Sequence, residues 1–253
     1  MAAQQKPLKW YRELAEKKGR LNAGVFLVEG EKSIRQILGN HPEAVNEIMS
    51  SEEPPLDFRK YPVRLVSASQ FRYISSAQTP QGIAAVVKMP ADIYTTRLPA
   101  DAGHKILLLE DIQDPGNMGT LIRTAAAFGF SGVILSDKCA DPLSPKVIQA
   151  TAGAVMSLWL RATAQYLDIV KALRQQGYPL LTAELNGQDR PDIMHRSQFI
   201  LALGNEAAGL SPALLELADF HVNIPIEREK AESLNAAVCG GILMYLSAEV
   251  MGK

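Results

Sequence analysis

Apolar positions along the chain fall into short runs separated by polar, glycine-containing or proline-containing segments. Such runs, when turn-forming residues bound them, are typical of buried β-strands. Helical periodicity fills most of the gaps, beginning with residues 8–19, a segment that we expect to end as a helix at Gly19. The ten predicted strands are 25–30, 45–50, 63–67, 82–89, 106–111, 132–137, 157–162, 179–185, 199–204 and 220–225.

Strand and helix alternate regularly in the second part of the chain. This order is typical of a parallel sheet covered by helices on both faces, and such sheets bind ligands beyond the carboxyl ends of their strands. The two parts are joined by a segment with prolines, a glycine and no clear periodicity. We therefore predict an α/β protein with a first domain at 1–95, a linker at 96–104 and a second domain at 105–253.

Composition narrows the class of protein. Hydrophobic residues make up 47% and charged residues 21% of the 253 residues, which is typical of a globular protein with its own core. No apolar run approaches the roughly 20 residues that a membrane helix needs, and the charged N-terminus does not resemble a secretory signal. The two cysteines form no CxxC pattern and lie near no histidine cluster. We therefore expect no membrane partner, no metal site and a cytoplasmic location.

Charge is unevenly distributed, although the net charge is only -1. Basic residues outnumber acidic ones at the start of the chain, where Lys17, Lys18 and Arg20 lie close together. Such a run is either the solvated face of a helix or a basic strip for the phosphate backbone of a nucleic acid. The residues alone leave both interpretations open.

Three loops that follow predicted strands carry most of the candidate chemistry. The first loop, DPGNMGTLIR at 114–123, opens a helix whose N-terminal amides and dipole favour an anion. Asn117 is the expected N-cap of that helix. Arg123 falls off the apolar face of the helix, where it serves either the loop or a surface ion pair.

The second and third loops are also unusual in composition. The second, LGNEAAGLSP at 203–212, contains Gly204 and Gly209, which let the backbone approach a ligand closely. The third, at 224–238, enters the last helix near Asn235. Each loop alone is also compatible with an ordinary strand-to-helix turn. A dinucleotide-binding fold is disfavoured because the first loop lacks the third glycine of its fingerprint, and no P-loop pattern is present.

Taken together and in this order, the loops resemble the motifs of the SpoU/TrmH family of RNA ribose methyltransferases, over residues 105–250. The first domain is similar to the L30e-like substrate-binding module of that family in GVFLVEGEKSIRQIL and TPQGIAAVV. The charged stretch 227–232 departs from the family pattern and leaves the contact with substrate open. The matching motif residues are Asn117, Gly119, Arg123, Ala125, Phe128 and Gly129, then Gly204, Glu206 and Gly209, then Ile224, Pro225, Ser233, Leu234 and Asn235.

The resemblance implies a SPOUT fold, which is α/β with a C-terminal trefoil knot, preceded by a small α/β L30e-like domain. It implies RNA as the partner, with ribosomal RNA favoured over transfer RNA, and methyl transfer from S-adenosylmethionine to a ribose 2′-hydroxyl. The cofactor residues implied are Leu203, Gly204, Gly209, Ile224, Ile226 and Leu234. The catalytic residues implied are Arg123, as a base or a phosphate clamp, and Asn117, Glu206, Ser233 and Asn235. RNA contacts are expected at Lys17, Lys18 and Arg20.

The last segment, 233–251, is apolar around much of its circumference. One sheet face covers only one stripe of a helix. With the resemblance, this predicts a homodimer in which Arg123 of one subunit faces the cofactor of the other.

Two alternatives from other classes are a catalytically inactive RNA-binding protein with the methyltransferase fold and a nucleotide-cofactor oxidoreductase. The first is disfavoured because no motif residue is missing.

Overall fold

The computed structural model describes residues 6–188 and 196–248, so the end of the last predicted helix, 249–251, lies outside the described residues. The strands are β1 Val25–Glu29, β2 Val45–Ser50, β3 Val63–Leu65, β4 Ile83–Lys88, β5 Lys105–Leu109, β6 Gly132–Leu135, β7 Trp159–Ala162, β8 Leu180–Ala183, β9 Phe199–Leu203 and β10 Phe220–Val222. The α-helices are α1 Leu8–Glu13, α2 Lys17–Ala23, α3 Glu31–Asn40, α4 Ala68–Ile74, α5 Pro115–Ala127, α6 Pro145–Thr151, α7 Tyr166–Gln175, α8 Pro212–Leu215 and α9 Ala236–Ala248. Every predicted strand is present.

The chain forms two compact units. The first contains Met1–Ala91 and Asp141–Met156, and the second contains Asp92–Ala140 and Ser157–Lys253. The sequence analysis assigned 141–156 to the second domain, whereas the contacts of this segment, which includes α6, group it with the first unit.

The first unit is built on a four-stranded sheet in the order β1-β4-β2-β3. β4 pairs antiparallel with both β1 and β2, and β3 runs parallel to β2. Its core includes Tyr11, Met49 and Phe71, which are almost completely buried. The small α/β unit that the resemblance implied is therefore present.

The predicted helix at 8–19 is in fact two short helices, and Gly19 lies inside α2 instead of ending α1. A Cβ atom at position 19 would stand 2.0 Å from the main-chain oxygen of Glu13, so only glycine lets the two helices approach this closely. α2 ends at Gly24, which adopts a left-handed conformation with φ 67°.

Arg20 does not lie on a solvated basic strip. Its side chain is only 2% exposed and forms an ion pair with Asp141. It also donates to the main-chain oxygens of Leu14 and Ala15, at 2.8 Å and 2.7 Å. Because its guanidinium is buried and bonded in this way, the predicted RNA contact at Arg20 is corrected to a structural role. Lys17 and Lys18, by contrast, are exposed.

The second unit is built on a six-stranded sheet in the order β10-β8-β9-β5-β6-β7, and every pairing between these strands is parallel. This confirms the predicted parallel α/β architecture. α9 packs against α5. The buried Lys105 donates from Nζ to the main-chain oxygen of Ser247 at 2.6 Å, which fixes the end of α9. Burial lowers the pKa of Lys105.

The predicted linker is packed against the second unit along its β7 edge. The Trp159 indole donates to the oxygen of Ala102 at 3.0 Å, and just before the linker the main-chain oxygen of Ile93 accepts from Ala162 at 2.7 Å. The Arg161 guanidinium binds the oxygen of Arg97. An edge strand that would otherwise expose unpaired groups is therefore covered.

Arg20→Ala should lower the free energy of unfolding by about 3 kcal/mol, because it leaves Asp141 and two carbonyl groups without their buried partner. Urea unfolding of the full chain measures this loss. Lys18→Ala is the matched control, since Lys18 is exposed, and it should leave the unfolding midpoint unchanged. Unfolding of Arg20→Ala at the wild-type midpoint would contradict the structural role.

Candidate functional site

The N-cap residue of α5, at the start of the first loop, differs from the one that the sequence predicted. Asp114, and not Asn117, is the N-cap, because Asp114 Oδ1 accepts from the amide of Asn117 at 2.7 Å. Pro115 occupies the first helical position, where it is favoured. Asn117 therefore lies at the third helical position, and its side chain is left to bond elsewhere.

A hydrogen-bonded relay joins all three loops through their motif residues. Asn235 Nδ2 donates to Asn117 Oδ1 at 3.0 Å, and Asn117 Nδ2 donates to Glu206 Oε1 at 2.6 Å. These three residues come from chain segments that follow β10, β5 and β9. The parallel sheet brings these residues together at the carboxyl ends of the strands, because all three strands run in the same direction.

The direction of this relay is fixed by a helix cap. Asn235 Oδ1 accepts from the amides of Ala237 and Val238 at 2.9 Å and 3.2 Å, at the start of α9. The other half of the Asn235 amide can then only donate, which requires Asn117 to present its oxygen to Asn235 and its nitrogen to Glu206. The relay thus ends on a carboxylate.

The second loop is a tight hairpin held by Asn205. The main-chain groups of Asn205 and Gly209 bond to each other at 3.1 Å and 2.9 Å, and Asn205 Oδ1 accepts from Ala207 and Ala208. Asn205 Nδ2 donates to the main-chain oxygen of Asp111 at 3.0 Å. A Cβ atom at Gly204 would stand 2.4 Å from the carbonyl carbon of Gly209, so the hairpin requires glycine at position 204. Sequence reasoning missed this role of Asn205.

A cleft of about 370 Å³ lies between the second and third loops and the end of β8. All six predicted cofactor residues line it: Leu203, Gly204, Gly209, Ile224, Ile226 and Leu234. Glu206 and Ser233 line it too, whereas Asn117, Arg123 and Asn235 do not. The lining is mostly apolar, which suits a flat aromatic ring of a ligand.

Some main-chain N–H and C=O groups of the third loop, at the cleft, make no hydrogen bond within the described residues. Among the residues that the structure describes, none bonds to the main-chain N–H or C=O groups of Ile224, Ile226 or Leu234. All three residues are half-buried, and buried backbone groups normally have partners. The Leu203 oxygen differs, because it accepts from the amide of Glu110 at 2.9 Å. The third loop thus presents groups that can bind the polar edge of a ligand.

Arg123 lies on the exposed surface of α5. Within the described part of the chain, its side chain forms no hydrogen bond or ion pair, so the alternative of a surface ion pair finds no support there.

Across residues 6–188 and 196–248, no group of three or more His, Cys, Asp or Glu side chains is arranged to hold a metal ion. In those same ranges, no helix has the length and apolar character needed to span a bilayer.

Sequence reasoning missed several residues of the cleft. Glu184, Leu185 and Asn186, which follow β8, line it, and so does Cys239 of α9. Burial raises the pKa of the Cys239 thiol. No local motif marks these positions, because they reach the cleft only through the strand order of the sheet.

Comparison with known proteins identifies the class. The model of the SpoU rRNA Methylase family matches residues 104–245, and the model of the MRM3-like substrate binding domain matches residues 6–85. The chain is 35% identical over 249 residues to the 23S rRNA (guanosine(2553)-2'-O)-methyltransferase RlmP of Bacillus subtilis, covering 96% of each chain. It is 30% identical to the 23S rRNA (uridine(2479)-2'-O)-methyltransferase of Streptomyces viridochromogenes, covering 93% of this chain and 86% of the relative.

Solved structures agree with the sequence comparisons. The SpoU methyltransferase AviRb from Streptomyces viridochromogenes in complex with AdoMet superimposes with a TM-score of 0.81, at 27% identity and with 99% of this chain covered and 100% of that chain. The AdoMet-bound rRNA methyltransferase from Sinorhizobium meliloti gives a TM-score of 0.81, at 26% identity and with coverage of 100% and 98%.

The fold is therefore that of the SpoU/TrmH methyltransferases, which confirms the predicted fold class, although the trefoil knot within it remains a prediction. The chain belongs to the SpoU rRNA Methylase family, as the three motifs indicated.

Substitutions at Asn235 should separate the helix cap from the relay. Asn235→Ala removes the cap and should lower the free energy of unfolding by about 1 kcal/mol. Asn235→Asp keeps a capping oxygen beside the helix dipole and should lose much less. Equilibrium unfolding of the two variants gives the comparison. Equal losses would show that Asn235 Oδ1 does not cap α9.

Proposed function

We propose that the protein transfers a methyl group to a ribose 2′-hydroxyl of ribosomal RNA, with S-adenosylmethionine as the methyl donor. The observation that carries this proposal is the relay Asn235–Asn117–Glu206, which joins the three motif loops beside an apolar cleft. Relatives aligned over nearly the whole chain are named as 23S rRNA 2'-O-methyltransferases, which supports ribosomal RNA as the substrate class.

The residues of the cleft fit S-adenosylmethionine. A volume of about 370 Å³ is within the range of small-molecule sites. Apolar side chains such as Leu203 and Ile226 suit the adenine ring, and the main-chain groups of Ile224, Ile226 and Leu234, which bond to no described residue, suit its polar edge. The cofactor supplies an already activated methyl group when it is bound, so the protein residues mainly have to position the acceptor and exclude water.

Arg123 is the residue that we assign to the RNA backbone at the acceptor ribose. Its guanidinium is exposed, and a planar fork of donors matches a phosphate group. An arginine side chain stays charged in proteins and is therefore a poor proton acceptor. These properties favour a clamp over a base.

Glu206 and Ser233 are proposed to orient the ribose. Asn117 occupies Glu206 Oε1, whereas Oε2 accepts no hydrogen bond from any residue in the described ranges. That oxygen is free to accept a hydrogen bond from a ribose hydroxyl. Ser233 is exposed at the rim of the same cleft and offers a second polar group. Asn117 and Asn235 act through Glu206 as positioning residues.

A homodimer is part of the proposal. α9 is apolar and packs against α5, but its large side chains Val238 and Tyr245 are each still 51% exposed. The Tyr245 ring meets Phe128 edge-on, with ring centroids 6.0 Å apart. An apolar surface next to the motif-one helix supports a second copy of the chain as the occupant, with Arg123 contributed across the interface.

The first unit is proposed to bind RNA. The match to a substrate-binding domain model over residues 6–85 supports this role, and the exposed Lys17 and Lys18 supply charge for phosphate groups. A substrate in ribosomal RNA also supports the cytoplasmic location expected from the sequence.

Mapping of 2′-O-methyl groups in RNA tests the proposed function. Ribosomal RNA from cells lacking the protein should lose one modification, and the wild-type gene should restore it. The Asn235→Asp variant should not restore it. Asn117 would then lie between two carboxylates, the one introduced at position 235 and that of Glu206, and both can only accept hydrogen bonds. In either orientation, the side-chain oxygen of Asn117 would face a carboxylate, so the relay would be broken. An unchanged map would favour the alternative of an inactive RNA-binding protein.

Arg123→Ala should reduce methyl transfer by at least about 100-fold while cofactor affinity stays near the wild-type value, since Arg123 does not line the cleft. Arg123→Lys should also be poor, because a point charge does not replace the planar fork. Steady-state kinetics and calorimetry give the two numbers. Near-normal activity in Arg123→Ala would remove this residue from the mechanism.

Mixing two inactive variants tests the shared site. Arg123→Ala lacks the clamp, and Gly204→Ala displaces the Gly209 backbone and so deforms the cleft. In a heterodimer, one site collects both defects and the other collects neither. Re-associated mixtures should recover up to roughly a quarter of wild-type activity if subunits pair at random. Circular dichroism confirms that both variants fold. Verified exchange of subunits without recovery would mean that Arg123 acts within its own chain.

A further inference from the structure

Arg228 connects the third loop to the opposite wall of the cleft. Its Nη1 donates to Asn186 Oδ1 at 2.8 Å, and its Nη2 donates to the main-chain oxygen of Leu185. Leu185 and Asn186 follow β8 and line the cleft, and so does Ile226, two residues before Arg228. The guanidinium thus spans two chain segments that border the same space.

The third loop is tied to other segments by hydrogen bonds at two points, Arg228 and Asn235 near its end. Residues 223–235 contain no helix or strand. Within the described part of the chain, Arg228 makes the only hydrogen bonds that tie residues 223–234 to another segment. The other bonds of the stretch are internal: the amides of Lys230 and Ala231 donate to Glu227, and the side chains of Lys230 and Glu227 form an ion pair.

We propose that Arg228 is a latch, a positioning residue that holds the third loop closed over the cofactor cleft. Ile224, Ile226 and Leu234, whose main-chain groups bond to no other residue in the described ranges, all belong to this loop. A loop held in its binding conformation loses less conformational entropy when the ligand arrives. Closing the cleft also slows escape of the ligand, so the latch controls affinity mainly through the dissociation rate.

The latch rests on the proposed use of S-adenosylmethionine, but its first test does not. A glutamate-specific protease can cut the loop after Glu227, Glu229 or Glu232. Without cofactor, Arg228→Ala should be cut in this loop several times faster than the wild type. Lys230→Ala is the matched control, because Lys230 is an exposed cation whose ion pair stays within the same turn, and it should be cut at the wild-type rate. Equal cleavage of Arg228→Ala and Lys230→Ala would overturn the latch.

The second test measures release of S-adenosylmethionine by displacement kinetics, with its affinity from calorimetry. Arg228→Ala should raise the dissociation rate and the Kd about tenfold, and the KM for cofactor should rise more than kcat falls. Asn186→Ala removes one of the two acceptors and should have a smaller effect. The double variant should be no worse than Arg228→Ala alone, because both act through the same contact.

The outcomes of the second test separate the two proposals. Failure of the wild-type protein to bind S-adenosylmethionine would remove the proposed function and leave the protease test of the latch intact. Wild-type release rates in Arg228→Ala would overturn the latch alone. Weaker RNA binding by Arg228→Ala with unchanged cofactor release would also overturn it, and would assign Arg228 to a phosphate contact instead.

Discussion

The site depends on one directional constraint, the capping of α9 by Asn235. The capping oxygen fixes which half of the Asn235 amide is left to donate, and this fixes the orientation of Asn117 and the carboxylate on which the relay ends. Three loops that are distant in the sequence are thereby held in one arrangement. The parallel sheet makes this possible, because it delivers the ends of β5, β9 and β10 to the same edge. Strand order and helix capping together produce the site geometry.

Much of this could be predicted from the sequence, since strands and motif loops are local patterns. Apolar runs located every strand, and the motifs located the relay residues and six residues that line the cleft. Misassignments arose where a distant contact decides the outcome. Gly19 lies inside a helix, where its missing side chain lets α1 approach, and Arg20 is buried in an ion pair with Asp141, which is far along the chain. Asn117 is not the cap because Asp114, three residues earlier, is also a good capping residue and is followed by Pro115, which favours the first helical position.

The cleft and the surface around Arg123 differ in how many hydrogen bonds hold them in place. The cleft has apolar walls, a hairpin pinned by Asn205 and a third loop bonded to the end of β8 through Arg228. Arg123, by comparison, is exposed and bonded to nothing in the described residues. This contrast fits the proposed function, in which a cofactor site lies beside a site that RNA and a second subunit complete. The proposed latch at Arg228 gives a role to the charged stretch 227–232, which departs from the family pattern.

The central claim is that this site methylates a ribose oxygen. The most direct measurement uses S-adenosylmethionine with a labelled methyl group and ribosomal RNA from cells that lack the protein. The RNA is digested to nucleosides, and mass spectrometry assigns the label to sugar or base. The account predicts label on the ribose of a single nucleoside, with none transferred by Arg123→Ala. Label on a base, or no label at all with RNA that is shown to be unmodified, would contradict it.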